Sequence, residues 1–178
     1  DWEGDYIFTP GWDVIGAAST VSIGADWTLA MEDKALSGLP GSVWTNCVGA
    51  YGNSCGEPQP RWKGLSHVTW RNGPVAITLR WRFIDSVVND RYLIPLRTGI
   101  GTVTPLAQIT NAEFPIYNYF DLSGSYDLSD KVTFSAGVNN LFDLTPPVTV
   151  KSSYGNTWPA TYDAFGQTFF FNITARTN

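Results

Sequence analysis

Apolar and polar residues alternate one by one over several long stretches of this chain, and this period of two most constrains its fold. In residues 75–83 five apolar side chains alternate with four others. Similar alternation recurs in residues 21–32, 62–70, 116–127, 132–139 and 168–176, with a weaker example in residues 6–17. Because successive side chains of a strand point to opposite faces, each stretch predicts a strand with one apolar face. The sequence therefore predicts an all-β protein with about seven antiparallel strands.

The lengths of these strands and of their connections favour a membrane barrel. The strands run about 9–13 residues, whereas ordinary globular strands run about 5–6 residues and membrane-spanning strands about 9–11. Short turns are predicted at Ser19-Thr20, Asn72-Gly73-Pro74 and Ser129-Asp130, and long connections at residues 36–60, 87–113 and 144–164. Short turns that alternate with long loops are typical of outer-membrane barrels. The alternative is a soluble β-sandwich, for example a secreted module that binds carbohydrate through loop aromatics.

Composition supports the membrane interpretation. The 178 residues include 8 Trp, 8 Tyr and 10 Phe, and only 15% are charged. Trp62 and Trp70 bracket one predicted strand, and Trp81 and Phe83 close the next, as in the aromatic girdles at the two surfaces of a bilayer. The net charge of −5 argues against a nucleic-acid partner.

The two cysteines, Cys47 and Cys55, lie in one Gly- and Pro-rich loop. Two thiols in a single loop of an otherwise cysteine-free chain predict a local disulfide and an oxidising compartment. Two free thiols or half of a metal site are the alternatives, and with one histidine in the chain zinc is the weaker of them. We expect no metal site and no cofactor.

Two segments carry a family resemblance. Residues 119–143 read YFDLSGSYDLSDKVTFSAGVNNLFD, which resembles the C-terminal region of TonB-dependent outer-membrane receptors, including their Gly-Val-x-Asn-Leu-Phe-Asp motif. Residues 47–82 contain a Cys-x(7)-Cys loop followed by Pro-x-Trp, Thr-Trp, Asn-Gly-Pro and Leu-x-Trp-Arg, and this order is similar to one branch of the same family.

The resemblance implies a fold, a role and a location. Residues 1–178 would form the C-terminal third of a barrel of about 22 strands, with the plug domain and the upstream strands absent from this sequence. The whole receptor would sit in the bacterial outer membrane and take up a scarce nutrient, with a ferric siderophore or similar chelate as the expected substrate. The expected partners are outer-membrane lipid, the remainder of the receptor, and the TonB complex through the plug.

Two sets of side chains are candidates for contact with a substrate. The first consists of aromatic residues in the long loops, which could stack on a ligand or pack loop against loop: Trp44, Tyr51, Tyr154 and Trp158. The second is a basic wall facing the barrel lumen, which could meet an anionic substrate or pair with acidic residues: Arg61, Lys63, Arg80 and Arg82. The chain has no Gly-x-Ser-x-Gly motif and one histidine, His67, so we expect no enzyme.

Overall fold

The computed structural model describes residues 1–36, 43–149 and 155–176 of the chain. Within these residues the fold is almost entirely β. In chain order the strands are Trp2–Phe8 (β1), Ser19–Leu29 (β2), Lys34–Ala35 (β3), Thr45–Asn46 (β4), Ala50–Gly52 (β5), Gly56–Gln59 (β6), Trp62–Asn72 (β7), Val75–Ile84 (β8), Val87–Asn89 (β9), Glu113–Phe114 (β10), Tyr117–Ser129 (β11), Val132–Asn139 (β12) and Thr168–Ala175 (β13). Helix α1 spans Asp90–Thr98, and a single 3₁₀ turn spans Leu106–Gln108.

A seven-stranded antiparallel sheet dominates the molecule, in the order β1-β2-β7-β8-β11-β12-β13. The predicted all-β class and the number of long strands are confirmed. The sheet is not closed: β1 and β13 each pair with one neighbour within the described part of the chain.

The first strand begins earlier than the sequence predicted. The alternation in residues 6–17 and the turn at Ser19-Thr20 are wrong, because β1 ends at Phe8 and both turn residues belong to β2. Glycines at positive φ, Gly11 and Gly16, bend the intervening connection. The end of this connection is held by Asn72 at the end of β7, whose Nδ2 donates to the Ala17 carbonyl at 2.6 Å.

The register of the seven strands separates their side chains into two faces. Two residues that lie directly opposite each other on neighbouring strands point to the same face of the sheet. The pairings therefore assign the residues of all seven strands to one face or the other. The apolar face includes Tyr6, Ile23, Trp27, Trp62, Val68, Trp70, Ile77, Leu79, Trp81, Phe83, Phe120, Leu122, Tyr126, Phe134, Val138, Phe169, Phe171 and Ile173. The polar face includes Asp5, Ser22, Asp26, Lys63, His67, Thr69, Thr78, Arg80, Arg82, Asp121, Ser123, Ser125, Ser135 and Asn172.

The turns and loops occupy opposite ends of the sheet. Gly73 and Pro74 join β7 to β8, and Asp130 and Lys131 join β11 to β12, close to the predicted turns. Gly73 has φ +51, a conformation that glycine adopts readily. The three long connections emerge from the other end, after β2, β8 and β12.

The long connections fold into a small module of their own, which we call the loop module (residues 43–59 and 87–114). It contains a four-stranded sheet in the order β10-β9-β5-β6, in which β5 and β9 run parallel. The module packs on the sheet through a cluster of buried rings and aliphatic side chains. The cluster consists of Tyr51, Ile84, Val87, Phe114, Tyr117, Tyr119 and Tyr162.

Helix α1 was not predicted, although its ends carry sequence signals. The Asn89 side chain caps the first turn by accepting from the Arg91 backbone N–H, and Gly99 ends the helix with φ 69. The helix has only nine residues and contains Pro95, and a proline usually indicates that a helix is interrupted. The sequence therefore did not suggest a helix here. None of the described helical segments is long and apolar enough to cross a membrane.

Candidate functional site

An ion-pair network occupies the polar face at the end of the sheet from which the long connections emerge. Arg82 makes a two-bond contact with Asp163, from Nη1 to Oδ1 at 2.8 Å and from Nη2 to Oδ2 at 2.6 Å. The same guanidinium donates to Asp121 from Nε at 2.9 Å and from Nη2 at 3.0 Å. Arg80 Nε adds a further contact to Asp121 at 3.1 Å. These bidentate contacts join β8, β11 and the last connection into one charge-balanced group.

Asp121 is the centre of this network and is almost fully buried, with 4% of its surface exposed. Besides the two arginines, it accepts a hydrogen bond from the Asn140 backbone N–H at 2.8 Å. A buried carboxylate needs such partners because water no longer solvates it. The two arginines are therefore matched by two aspartates, so this half of the predicted basic wall pairs with acidic residues.

The other half of the predicted basic wall remains exposed. Arg61 directly precedes β7 and Lys63 lies within it on the polar face, and neither forms an ion pair within the described ranges. Arg97 of α1 belongs to the same region, and burial together with the nearby charge of Arg61 lowers the pKa of Arg97. The uncompensated positive charge thus lies where β7 begins.

The loop aromatics have different surroundings. Trp44 is 60% exposed, whereas Tyr51 is 4% exposed and its ring stacks on Phe114 with centroids 4.3 Å apart. Trp158 is half-buried against the ring cluster, and Tyr154 lies outside the described residues. Contact of these four residues with a ligand stays a prediction.

The structure contains the predicted disulfide. Cys47 and Cys55 are bonded, with Cα atoms 5.4 Å apart. Next to this bridge, the carboxylate of Asp90 accepts from the backbone N–H groups of Ser54 at 2.6 Å and Cys55 at 3.2 Å. The disulfide joins the segment before β5 to the turn between β5 and β6, and the buried carboxylate attaches that turn to the start of α1.

Tyr162 was not selected from the sequence, yet it anchors the last connection. Its side chain is 1% exposed, and its ring lies 4.8 Å from that of Tyr117 and 6.0 Å from that of Phe114. Burial raises the pKa of the Tyr162 phenol. The only sequence signal was the Tyr162-Asp163 pair itself, and the alternation pattern could not reveal its partners because they are distant in sequence.

Two concave regions lie next to these residues. A broad, open one of about 500 Å³ on the polar face is bordered by Arg80, Asp163 and Phe165. A more enclosed one of about 190 Å³ lies in the loop module between Tyr51, Asn89 and Trp158. Within residues 1–36, 43–149 and 155–176, no group of three or more His, Cys, Asp or Glu side chains is placed to hold a metal ion.

Comparisons with known proteins return structural matches only. No protein-family model and no curated protein sequence matches the chain. Among solved structures, three variants of the ferric enterobactin receptor of Pseudomonas aeruginosa match 97% of this chain, with identities of 17%, 17% and 18% and TM-scores of 0.47, 0.47 and 0.48. This chain spans 30%, 30% and 31% of those chains.

Proposed function

We propose that this chain forms part of the barrel wall and external loops of a TonB-dependent outer-membrane receptor that takes up a scarce nutrient, namely a ferric siderophore or similar chelate. The observation that carries the proposal is the apolar face. All seven strands contribute large apolar side chains to it. These apolar side chains are exposed even in the central strands, where 42% of the surface of both Leu79 and Val68 is accessible.

Such a surface requires a nonpolar environment. Water-soluble monomers rarely expose contiguous apolar patches larger than a few hundred Å², and this face extends over seven strands. A β-sandwich would cover it with a second sheet. The loop module instead packs on the opposite side, where Ile84, Tyr117 and Tyr119 lie. Lipid is the covering that fits the uncovered face, and the polar face then lines the barrel interior.

The distribution of aromatic side chains supports the same orientation. At the end with long connections, Trp27 lies 5.4 Å from Trp81 and 5.2 Å from Phe83 between ring centroids. Trp70 and Tyr126 lie toward the other end of the apolar face. In β7 and β11 aromatic residues near both ends of the strand flank aliphatic residues, and this arrangement matches the two interfaces of a bilayer.

Accessibility to lipid tests the wall assignment. The variants Leu79→Cys and Leu122→Cys of the natural protein are reconstituted in vesicles. The introduced thiol carries a fluorophore that brominated lipid quenches, while Cys47 and Cys55 remain in their disulfide. The matched control is Ser123→Cys, whose neighbour Leu122 lies on the opposite face. We expect strong quenching at 79 and 122 and weak quenching at 123. Equal quenching at all three positions would contradict the assignment.

Uptake tests the transport role separately. Cells that lack the natural gene should lose energy-dependent accumulation of a radiolabelled ferric siderophore and regain it when the gene is restored. Unchanged accumulation for a panel of chelates would refute the siderophore proposal while leaving the wall assignment intact.

A further inference from the structure

The cavity of about 190 Å³ in the loop module has features that neither the barrel wall nor chelate uptake explains. Its lining shares no residue with the ion-pair network. Tyr51 and Ile109 form its buried floor, and Trp158 forms part of its side. Exposed side chains of Asn53, Arg91, Gln108 and Thr110 form its rim.

The walls of this cavity are held in place by contacts that do not depend on a ligand. The Cys47–Cys55 disulfide and the Asp90 carboxylate hold the segment before Gly56. On the other side, Asn111 Nδ2 donates to the Val148 carbonyl at 2.8 Å. A preformed site binds more tightly because little ordering entropy is lost on binding.

The volume limits the size of the occupant. A cavity of about 150 Å³ holds one benzene molecule, whereas sites for drug-sized ligands measure about 300–1,000 Å³. At about 190 Å³ this cavity accommodates one substituted six-membered ring. It is too small for a complete metal chelate, so any occupant differs from the proposed transport substrate.

Among its described lining residues the cavity has one acid and one cation, and only the cation is exposed at the rim. The acid, Asp90, is buried and accepts from two backbone N–H groups. The cation, Arg91, forms no ion pair in the part of the chain that the structure describes. An unpaired guanidinium matches a carboxylate in a two-bond geometry.

The remaining groups favour a hydroxylated ring. The side-chain amides of Asn53 and Gln108 have no hydrogen-bond partner among the described residues, and each offers both donors and an acceptor. The buried indole N–H of Trp158 likewise has no acceptor there. The partly exposed ring of Trp158 suits the C–H face of a sugar. We propose that this cavity is a binding site for a single hexuronate unit, a six-membered sugar ring that carries one carboxylate.

Calorimetric titration of the detergent-solubilised full-length protein tests the proposal, with D-glucuronate, D-glucose and benzoate as probes. We expect one glucuronate per chain, weaker binding of glucose because it lacks the carboxylate, and weaker binding of benzoate because it lacks the hydroxyls. Arg91→Gln should reduce the affinity for glucuronate about tenfold or more. Arg61→Gln, which changes an exposed arginine outside the cavity, should leave it unchanged.

A second variant guards against a folding defect in the first. Asn53→Asp places a negative charge on the rim and removes the amide donors, so it should weaken glucuronate binding more than it weakens glucose binding. Absence of glucuronate binding at about 10 mM, equal binding of benzoate, or binding that Arg91→Gln leaves unchanged would each overturn the proposal. The barrel assignment does not depend on any of these results.

Discussion

At the scale of single residues, Arg82 connects more of the molecule than any feature of its local sequence indicated. It contacts Asp121 on the neighbouring strand and Asp163, which lies 81 positions further along the chain. Replacing it by methionine leaves two carboxylates without their shared cation. Hydrogen bonds to charged groups contribute about 1.5–3 kcal/mol each, so we expect Arg82→Met to lower the free energy of unfolding by at least about 2 kcal/mol in urea titrations.

The control for this variant is Arg61→Met. Arg61 is exposed and forms no ion pair within the described ranges, so its loss should change stability by less than about 0.5 kcal/mol. Adding Asp163→Asn to Arg82→Met should recover part of the loss by removing one unpaired charge. Equal effects of the two methionine variants would show that the network contributes nothing to stability.

The buried phenol of Tyr162 should make the stability of the protein depend on pH in the alkaline range. Burial raises its pKa in the folded state, so above about pH 10 the unfolded chain releases the phenolic proton while the folded chain retains it. The unfolded state then binds fewer protons, and stability falls as pH rises. Tyr162→Phe should reduce this loss by up to about 1 kcal/mol between pH 10 and pH 11.

The same variant should be nearly neutral at pH 7. The Tyr162 hydroxyl is buried and has no hydrogen-bond partner among the described residues, so its removal deletes no hydrogen bond found there. Thermal unfolding at pH 7, 10 and 11 measures both effects. A wild-type stability that is as high at pH 11 as at pH 7 would contradict the raised pKa of Tyr162.

At the scale of secondary-structure elements, alternation reveals the faces of a strand but not its partners. Residues 75–83 and 132–139 were correctly assigned because each side chain there faces either the apolar or the polar side without interruption. The same rule failed in residues 6–17, where Gly11 and Gly16 permit a connection instead of a strand. The module formed by β5, β6, β9 and β10 escaped prediction because two- to four-residue strands are too short for a period to appear.

Strand alternation also gives a stability prediction. If the apolar face contacts lipid, Leu79→Arg places a charge in the hydrocarbon and should cost about 2–4 kcal/mol near the bilayer midplane. The comparison variant Ser123→Arg, on the polar face, should cost less because its guanidinium can approach Asp121, two positions away in β11. Unfolding of the full-length protein in vesicles measures both, and an equal cost for the two variants would argue against a lipid-facing position for Leu79.

The disulfide stabilises an element that lacks a large core. Closing an eight-residue separation between Cys47 and Cys55 removes unfolded-state entropy equivalent to about 2–3 kcal/mol. Exchanging both cysteines for serine should therefore speed amide hydrogen exchange in residues 47–59 while β8 keeps its protection. A reductant should speed exchange in the same residues of the wild-type protein and cause no further change in the double variant. Faster exchange throughout the seven-stranded sheet would show that the disulfide stabilises more than this loop.

At the scale of the whole molecule, the two edge strands of the sheet, β1 and β13, carry backbone groups that need hydrogen-bond partners. Every second backbone amide of β13 points away from β12, and within the described residues no strand accepts those hydrogen bonds. Each such group left unsatisfied in hydrocarbon costs several kcal/mol, which is why membrane sheets close. If the sheet belongs to a closed barrel, a further strand pairs with these amides, and in the natural protein in detergent they should exchange as slowly as those of the central strand β8. Free exchange along β13, or recovery of the 178-residue chain as a water-soluble monomer, would contradict the barrel and favour a sheet whose edges are covered by its own loops.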